Sequence, residues 1–366
     1  MRPNRLASLG SSLAIVSLVV GACSSGAVPS AAPASPGATL APAAATATPA
    51  PTAAPIVAHV SPAGTHNGRI AYGVKSGSAS NLFSVKADGT GLVQLTKGSG
   101  NHLCAAYSAD GSSIAYCADQ SGNFEIWTMK ADGSAQTQLT HLGGTALFPD
   151  ISRDGKKVAF GGTEGDDSHT EVYVVDAASG TGLVALTSCA SSAPAGCAND
   201  YPVWSPDGGQ IAYIHQDDID ANDVGVNQQV WVMNVDGSNQ HPLTSGGAPK
   251  DQVPDWSPDG TKIAYATGAA SNEGIWVMGA DGSGQVQVSG CHAGDASPCA
   301  AGDDFAPAWS PDGTKIAFLR SFQDVGKNDR SIYVMNADGS GQTRLIKGDI
   351  LQTVPAWQSR SAGQTD

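Results

Sequence analysis

The stretch Pro202-Val203-Trp204-Ser205-Pro206-Asp207-Gly208 is followed by Ile211-Ala212-Tyr213, then by Val230-Trp231-Val232-Met233-Asn234-Val235-Asp236-Gly237, then by Leu243-Thr244. The phrase returns as Trp256-Ser257-Pro258-Asp259-Gly260, with Ile263-Ala264-Tyr265 and Ile275-Trp276-Val277-Met278 behind it. It returns again as Trp309-Ser310-Pro311-Asp312-Gly313, with Ile316-Ala317-Phe318 and Ile332-Tyr333-Val334-Met335. Earlier copies keep the frame in other letters, as Tyr107-Ser108-Ala109-Asp110-Gly111 and Ile151-Ser152-Arg153-Asp154-Gly155. With Tyr107, Ile151, Trp204, Trp256, Trp309 and Trp357 as equivalents, the spacings are 44, 53, 52, 53 and 48 residues. Those periods match a repeated four-stranded unit.

The pieces read as strands and turns. Ser-Pro-Asp-Gly suits a type I turn: Pro presets φ, Asp tolerates the bridge region, and Gly takes the left-handed place that closes a bulged hairpin. Ala-Asp-Gly-Ser (at 131–134, 280–283 and 337–340) does the same without the Pro. Runs such as Ile275-Trp276-Val277-Met278 are apolar at every position, as befits strands covered on both faces by neighbouring sheets. Ala stands at the centre of the second strand in all six units, at Ala71, Ala115, Ala159, Ala212, Ala264 and Ala317. A small residue there implies adjacent sheets in close approach.

The two ends of the repeat region complement each other. The first unit begins at Arg69-Ile70-Ala71-Tyr72 without its Trp strand, and the last stops after supplying one, Val354-Pro355-Ala356-Trp357. The expected fold is therefore all-β: a six-bladed β-propeller of four-stranded antiparallel blades, closed by the C-terminal strand completing the first blade. Such closure removes open sheet edges.

The chain ahead of the ring reads differently. Arg2 and Arg5 precede a short apolar stretch from Leu13 to Val20, too short to span a bilayer comfortably and followed by small residues, as in an export signal. Val20-Gly21-Ala22-Cys23 resembles a bacterial lipoprotein lipobox, and the resemblance implies cleavage before Cys23 and diacylglycerol on its sulfur. The domains expected are a signal peptide over 1–22, a lipidated tether over 23–64, the propeller over 65–358 and a disordered tail over 359–366. The tether is Ala, Pro, Thr and Ser almost throughout, with too few large apolar side chains to offset the entropy of folding. At ~3 Å per residue it reaches roughly 100 Å. The chain is thus expected outside the cytoplasm, held to the bacterial cell membrane.

Without Arg2 and Arg5 the mature chain keeps 17 basic against 33 acidic residues, a net of −16 with His neutral. Phosphate-rich partners would be repelled, which argues against nucleic acid and anionic lipid surfaces. Cations, basic proteins and neutral glycans remain compatible.

The repeats resemble the WD40-like propeller repeats of the TolB type, over about four-fifths of the chain. The threefold Trp-Ser-Pro-Asp-Gly carries the resemblance, which implies the fold and contacts with proteins rather than a particular activity. In TolB itself an α/β domain precedes the propeller; here the lipidated tether stands in its place, so the TolB role is not carried over.

If each blade has strands a to d, the tight a–b and c–d turns share one face, and the b–c and d–a connections share the other, where nearly all length variation falls. Function concentrates on variable loops over a rigid scaffold, so the long-loop face is the candidate site. Six cysteines remain after Cys23. Cys189 pairs naturally with Cys197, and Cys291 with Cys299, each pair closing a d–a loop. Since Tyr107 faces Ile114, Cys104 is expected to face Cys117 across strands a and b. Export makes disulfides the expectation over a metal site.

His102, His215, Asp217, Asp218, Asp220, Asp303 and Asp304 are the candidate binding residues of this face, in company with Glu164, Asp166, Asp167, Asp223, His141, His169 and His292. Asp218-Ile219-Asp220-Ala221-Asn222 alternates oxygen ligands as the start of a calcium loop does, but it lacks the Gly at the sixth place and the terminal Glu. A solvated acidic loop is the expectation and no cofactor is expected, with calcium the alternative. The histidines belong to several blades with no spacing that forces them together. No catalytic residue is singled out. The expected function is a monomeric binding or assembly scaffold for a protein or glycan at the cell envelope. The alternative is a lyase or hydrolase acting on polysaccharide, with a metal- or His-based site on this face. A serine-peptidase propeller is disfavoured because Gly-x-Ser-x-Gly does not occur.

Overall fold

Three apolar strands and a short, exposed fourth, with Gly-containing turns between a and b and between c and d, fold into one antiparallel sheet per repeat. The computed structural model describes residues 66–360, apart from 166–168, 190–196, 218–226, 246–251, 269–272, 291–301, 325–326, 349 and 352–353. Six four-stranded sheets result. In strand order a to d, blade 2 is His102–Tyr107, Ser113–Ala118, Glu125–Lys130 and Thr137–Gln138. Blade 3 is Gly143–Ile151, Lys157–Glu164, Glu171–Asp176 and Val184–Ala185. Blade 4 is Cys197–Trp204, Gln210–Asp217, Asn227–Asn234 and His241–Pro242. Blade 5 is Gln252–Trp256, Lys262–Thr267, Gly274–Gly279 and Val286–Gln287, and blade 6 is Gly302–Trp309, Lys315–Asp324, Lys327–Asn336 and Thr343–Gly348.

Blade 1 takes its strand a from the C-terminus. Ala356–Arg360 pairs antiparallel with His66–Ser76, Ile70 opposite Trp357 and Ala71 opposite Ala356; Ala79–Lys86 and Val93–Gln94 complete the sheet. The ring is closed as the complementary ends require. The closing strand runs to Arg360, two residues past the expected 358 boundary.

The turn motif owes its fixed letters to side chains. In blade 4 the Ser205 hydroxyl donates to the Asp207 carboxylate and accepts the Gln210 N–H at 2.9 Å, while Asp207 also accepts the Gly209 N–H at 2.9 Å. Ser108, Ser152, Ser257 and Ser310 repeat the arrangement with Asp110, Asp154, Asp259 and Asp312. Ser and Asp hold the turn, which is why Pro can give way to Ala109 and Arg153. Gly208 has φ 73°, the left-handed place that favours glycine. The Leu-Thr pair that ends the first four repeats works likewise: Thr140, Thr187 and Thr244 accept the first N–H of the core of strand c, from Ile126, Val172 and Val230 at 2.8 to 3.0 Å.

The core lies between blades. All six central alanines have no exposure, and each abuts a neighbouring sheet as their small size implies. The aromatic residue that ends strand a packs on the preceding blade: Trp204 joins Val174, and Trp256 joins Val232. Trp309 joins Val277, and Trp357 joins Val334.

Candidate functional site

Strand a has a neighbour on one side only, so its other edge faces the axis of the ring. In blades 2 to 6 this strand carries one extra residue: three steps on it (Leu103 to Ala106, for example) match two on strand b (Cys117 to Ala115). The residues that open these bulges, Cys104, Phe148, Tyr201, Val253 and Ala306, are not glycines yet have φ between 45° and 53°. In blade 1 the extra residue lies on strand b instead, between Asn67 and Ile70. Pro149, Pro202, Pro254 and Pro307 follow these residues along strand a, where the missing N–H faces the axis and not a ladder. These segments line a central channel of about 180 Å³.

Two carboxylates stand in this channel, Asp150 of blade 3 and Asp255 of blade 5. Asp150 accepts the Trp204 N–H at 2.8 Å and the Ile151 N–H at 3.0 Å. Asp255 accepts the Trp309 N–H at 2.6 Å. Each thus satisfies an edge N–H of the next blade that would otherwise lack a partner. Burial pushes the Asp150 pKa up to about 7 against those hydrogen bonds. Burial pushes Asp255 to about 8, with repulsion from Asp150 adding to it. Asp200, on the bulge of blade 4, is pushed to about 7 by burial while accepting the Tyr201 N–H at 2.7 Å.

On the long-loop face a polar chain crosses from blade 3 to blade 4. Glu171 is buried; it accepts from the Thr187 hydroxyl at 2.6 Å, the Cys189 N–H at 2.5 Å and the Asn199 amide at 2.9 Å. With the Asn199 nitrogen donating to Glu171, the Asn199 oxygen faces His215 Nδ1 at 2.8 Å. On the other side of the ring, Nε2 lies 3.1 Å from an Asp217 oxygen. The imidazole packs on Trp231 with centroids 4.6 Å apart. His215 keeps 17% of its side chain exposed and Asp217 keeps 47%, so the chain ends in a solvent-facing His–Asp edge. The Cys189–Cys197 disulfide, with Cα atoms 5.7 Å apart, ties the same junction.

A closed ring of six four-stranded blades with repeated Ser-x-Asp-Gly turns has a family counterpart: the TolB beta propeller domain matches residues 46–218 and 219–362. The chain belongs to the TolB β-propeller family. Among solved structures, TolB from Acinetobacter baumannii is 19% identical at a TM-score of 0.62, covering 80% of this chain and 66% of that one. The putative TolB from Agrobacterium tumefaciens is 17% identical at 0.59, covering 81% and 98%. A chain of the nidogen/laminin complex is 10% identical at 0.57, covering 81% and 98%. At these identities the likeness is one of fold.

This TolB-type propeller distributes the candidate residues unevenly. His102 is buried, its ring nitrogens 3.3 Å from the Ser80 carbonyl and the Gln120 side-chain oxygen. Asp304 is buried too, in a two-pronged pair with Arg320 at 2.5 and 2.6 Å, and the guanidinium rests over the Phe318 and Tyr333 rings. Asp303 is half-buried, an oxygen 3.4 Å from the Glu273 N–H. Glu164 is exposed. Asp166, Asp167, Asp218, Asp220, Asp223 and His292 lie outside the described residues, as do Cys291 and Cys299. Among the described residues, no three His, Cys, Asp or Glu side chains come together to hold a metal ion.

The Cys104–Cys117 disulfide is present, with Cα atoms 5.5 Å apart, by a different route from the expected register. Leu103, not Cys104, stands opposite Cys117, and the bulge turns Cys104 towards it. Both disulfides fit an extracytoplasmic setting. The repeat phrase does not mark Asp150, Asp200 or Asp255; the signal for two of them is Pro149-Asp150 and Pro254-Asp255, a carboxyl where other blades have Ala106, Val203, Ala308 and Ala356.

Proposed function

We propose that this propeller is an extracytoplasmic binding module, tethered to the cell membrane through a lipid on Cys23, whose long-loop face receives a protein or glycan partner. The observation that carries the reading is the His215–Asp217 edge, a polar pair held in place from the core by Glu171 and Asn199 and open to solvent at its far end. A pre-oriented donor and acceptor beside an indole is suited to recognising a polar ligand, since little side-chain freedom is lost on binding. The buried carboxylates are committed elsewhere: Asp304 neutralises Arg320, while Asp150 and Asp255 tie strand a of one blade to that of the next. The acidic balance of the chain favours a basic or neutral partner over nucleic acid.

Affinity capture from detergent-solubilised membranes tests this, with His215→Ala and Asp217→Asn in parallel. A protein or glycan retained by the parent chain and lost from both variants is the expected result. Retention of the same set by all three would move the site off this edge, and no retained material would remove the reading. Anchoring is tested separately: Cys23→Ala should shift the chain from the membrane to the soluble fraction.

A further inference from the structure

Five of the six blade junctions are plugged by an aromatic side chain of the propeller itself, and the sixth is not. Trp204, Trp256, Trp309 and Trp357 each meet a valine of the preceding blade's strand c: Val174, Val232, Val277 and Val334. At the junction of blades 1 and 2 the plug is Tyr107, and the strand c residue beside it is Ser84. Between blades 2 and 3 the plug position holds Ile151, and the strand c position holds Thr128, opposite the central Ala115. Ser84 and the four valines are buried, whereas Thr128 and Ile151 are half-buried.

The consequence is a cleft of about 510 Å³ on the tight-turn face, opposite the long-loop face. Its floor is Thr128, Met129, Ile151 and Val158, and Lys130 and Arg153 stand exposed at its rim. Asp110 and Asp154 also border it, but both are engaged in their turns, accepting from Ser108, Ser112, Ser152 and the Lys156 N–H. The filled junctions show what the geometry accepts. Trp204 donates from Nε1 to the Asp150 carbonyl at 3.2 Å, and Trp357 to the Ala308 carbonyl at 3.1 Å, whereas the buried indole nitrogens of Trp256 and Trp309 have no hydrogen-bond partner.

We propose that the cleft between blades 2 and 3 takes a tryptophan side chain from a partner polypeptide, packed against strand c of the preceding blade as the propeller's own indoles are at four other junctions. Residues 1–65 and 361–366 contain no Phe, Trp or Tyr, so neither flank of the ring offers an aromatic plug. Thr128 supplies a hydroxyl where the four tryptophan-filled sites have a valine methyl, and the rim cations Lys130 and Arg153 favour carboxylates on the segment that carries the indole. The site stands on the face opposite His215 and does not depend on the reading given to that edge.

N-acetyl-tryptophanamide and the peptide Gly-Glu-Trp-Glu-Gly, titrated into the isotope-labelled chain, provide the test. Saturable amide shifts confined to Thr128, Lys130, Ile151, Arg153 and their neighbours are expected, tighter for the peptide, and absent with N-acetyl-leucinamide. Ile151→Trp fills the cleft from within and should weaken both ligands at least about tenfold. Should that variant fail to fold, Thr128→Leu should produce the same loss from the opposite wall. Lys130→Ser with Arg153→Ser should weaken the peptide to the level of the amide. Equal binding by the filled variant, equal binding of the leucine probe, or shifts centred on another junction would each overturn the assignment.

Discussion

Trp204 and Asp150 clasp each other across the junction of blades 3 and 4. The Asp150 carboxylate accepts the Trp204 backbone N–H at 2.8 Å, and the Trp204 indole donates to the Asp150 backbone carbonyl at 3.2 Å. Each residue thus satisfies a main-chain group that the inner edge of the neighbouring strand leaves open. The clasp fixes the angle between blades with polar groups shielded from water, where a hydrogen bond is strong and a missing one costly.

That shielding makes the ring sensitive to pH. Asp150, Asp200 and Asp255 have folded pKa values of about 7, 7 and 8 against an ordinary 3.8, the main cause being burial. Between about pH 4 and 8 the folded state holds protons that the unfolded state has lost, so stability falls as pH rises, by up to ~1.4 kcal/mol per pH unit for each such carboxyl. Melting temperatures measured from pH 5 to 8.5 should decline and then level. Asp255→Asn keeps an acceptor for the Trp309 N–H and should flatten the decline. A melting temperature that rises over this window would refute the assignment.

The closing strand should carry much of the cooperativity. Trp357 is buried between blades 6 and 1 and donates to the Ala308 carbonyl at 3.1 Å. Trp357→Ala should cost ~3–5 kcal/mol in urea unfolding. Trp357→Phe, which keeps most of the ring but strands the carbonyl, should cost ~1–3 kcal/mol.

The Leu-Thr ending of the repeat predicts a smaller, sharper effect. Thr140 accepts the Ile126 N–H at 2.8 Å and donates to buried Glu125 at 2.6 Å. Thr140→Val should lose ~1–3 kcal/mol because two buried groups lose a partner, while Thr140→Ser should stay close to the parent chain. Equal losses in both variants would point to packing instead of the hydroxyl.

Much of this architecture was legible in the chain itself, for identifiable reasons. Turns advertise themselves because Ser205 and Asp207 act locally, within five residues of one another. Closure was legible because the missing first strand and the surplus last one are complementary. The bulges were not, since Cys104, Phe148, Tyr201, Val253 and Ala306 adopt left-handed backbone without a glycine to signal it. His102 and Asp304 looked like loop residues because their strands reach further towards the loop face than the repeat phrase does; both sit within paired strand a. The Glu171–Asn199–His215 chain joins residues of two blades through tertiary contacts that no spacing announces.

Asp304 and Arg320 give the last prediction. The carboxylate has no exposure and the guanidinium 19%, and Gln342 accepts a further Arg320 hydrogen bond at 2.9 Å. Removing one partner leaves the other charge poorly compensated, so Asp304→Ala should cost ~3–5 kcal/mol in chemical unfolding. Replacing both, as Asp304→Leu with Arg320→Met, removes the desolvation penalty along with the attraction and should restore most of that loss. A double variant as unstable as Asp304→Ala alone would show that the stacking of Arg320 on Phe318 and Tyr333, and not the ion pair, holds this corner of blade 6.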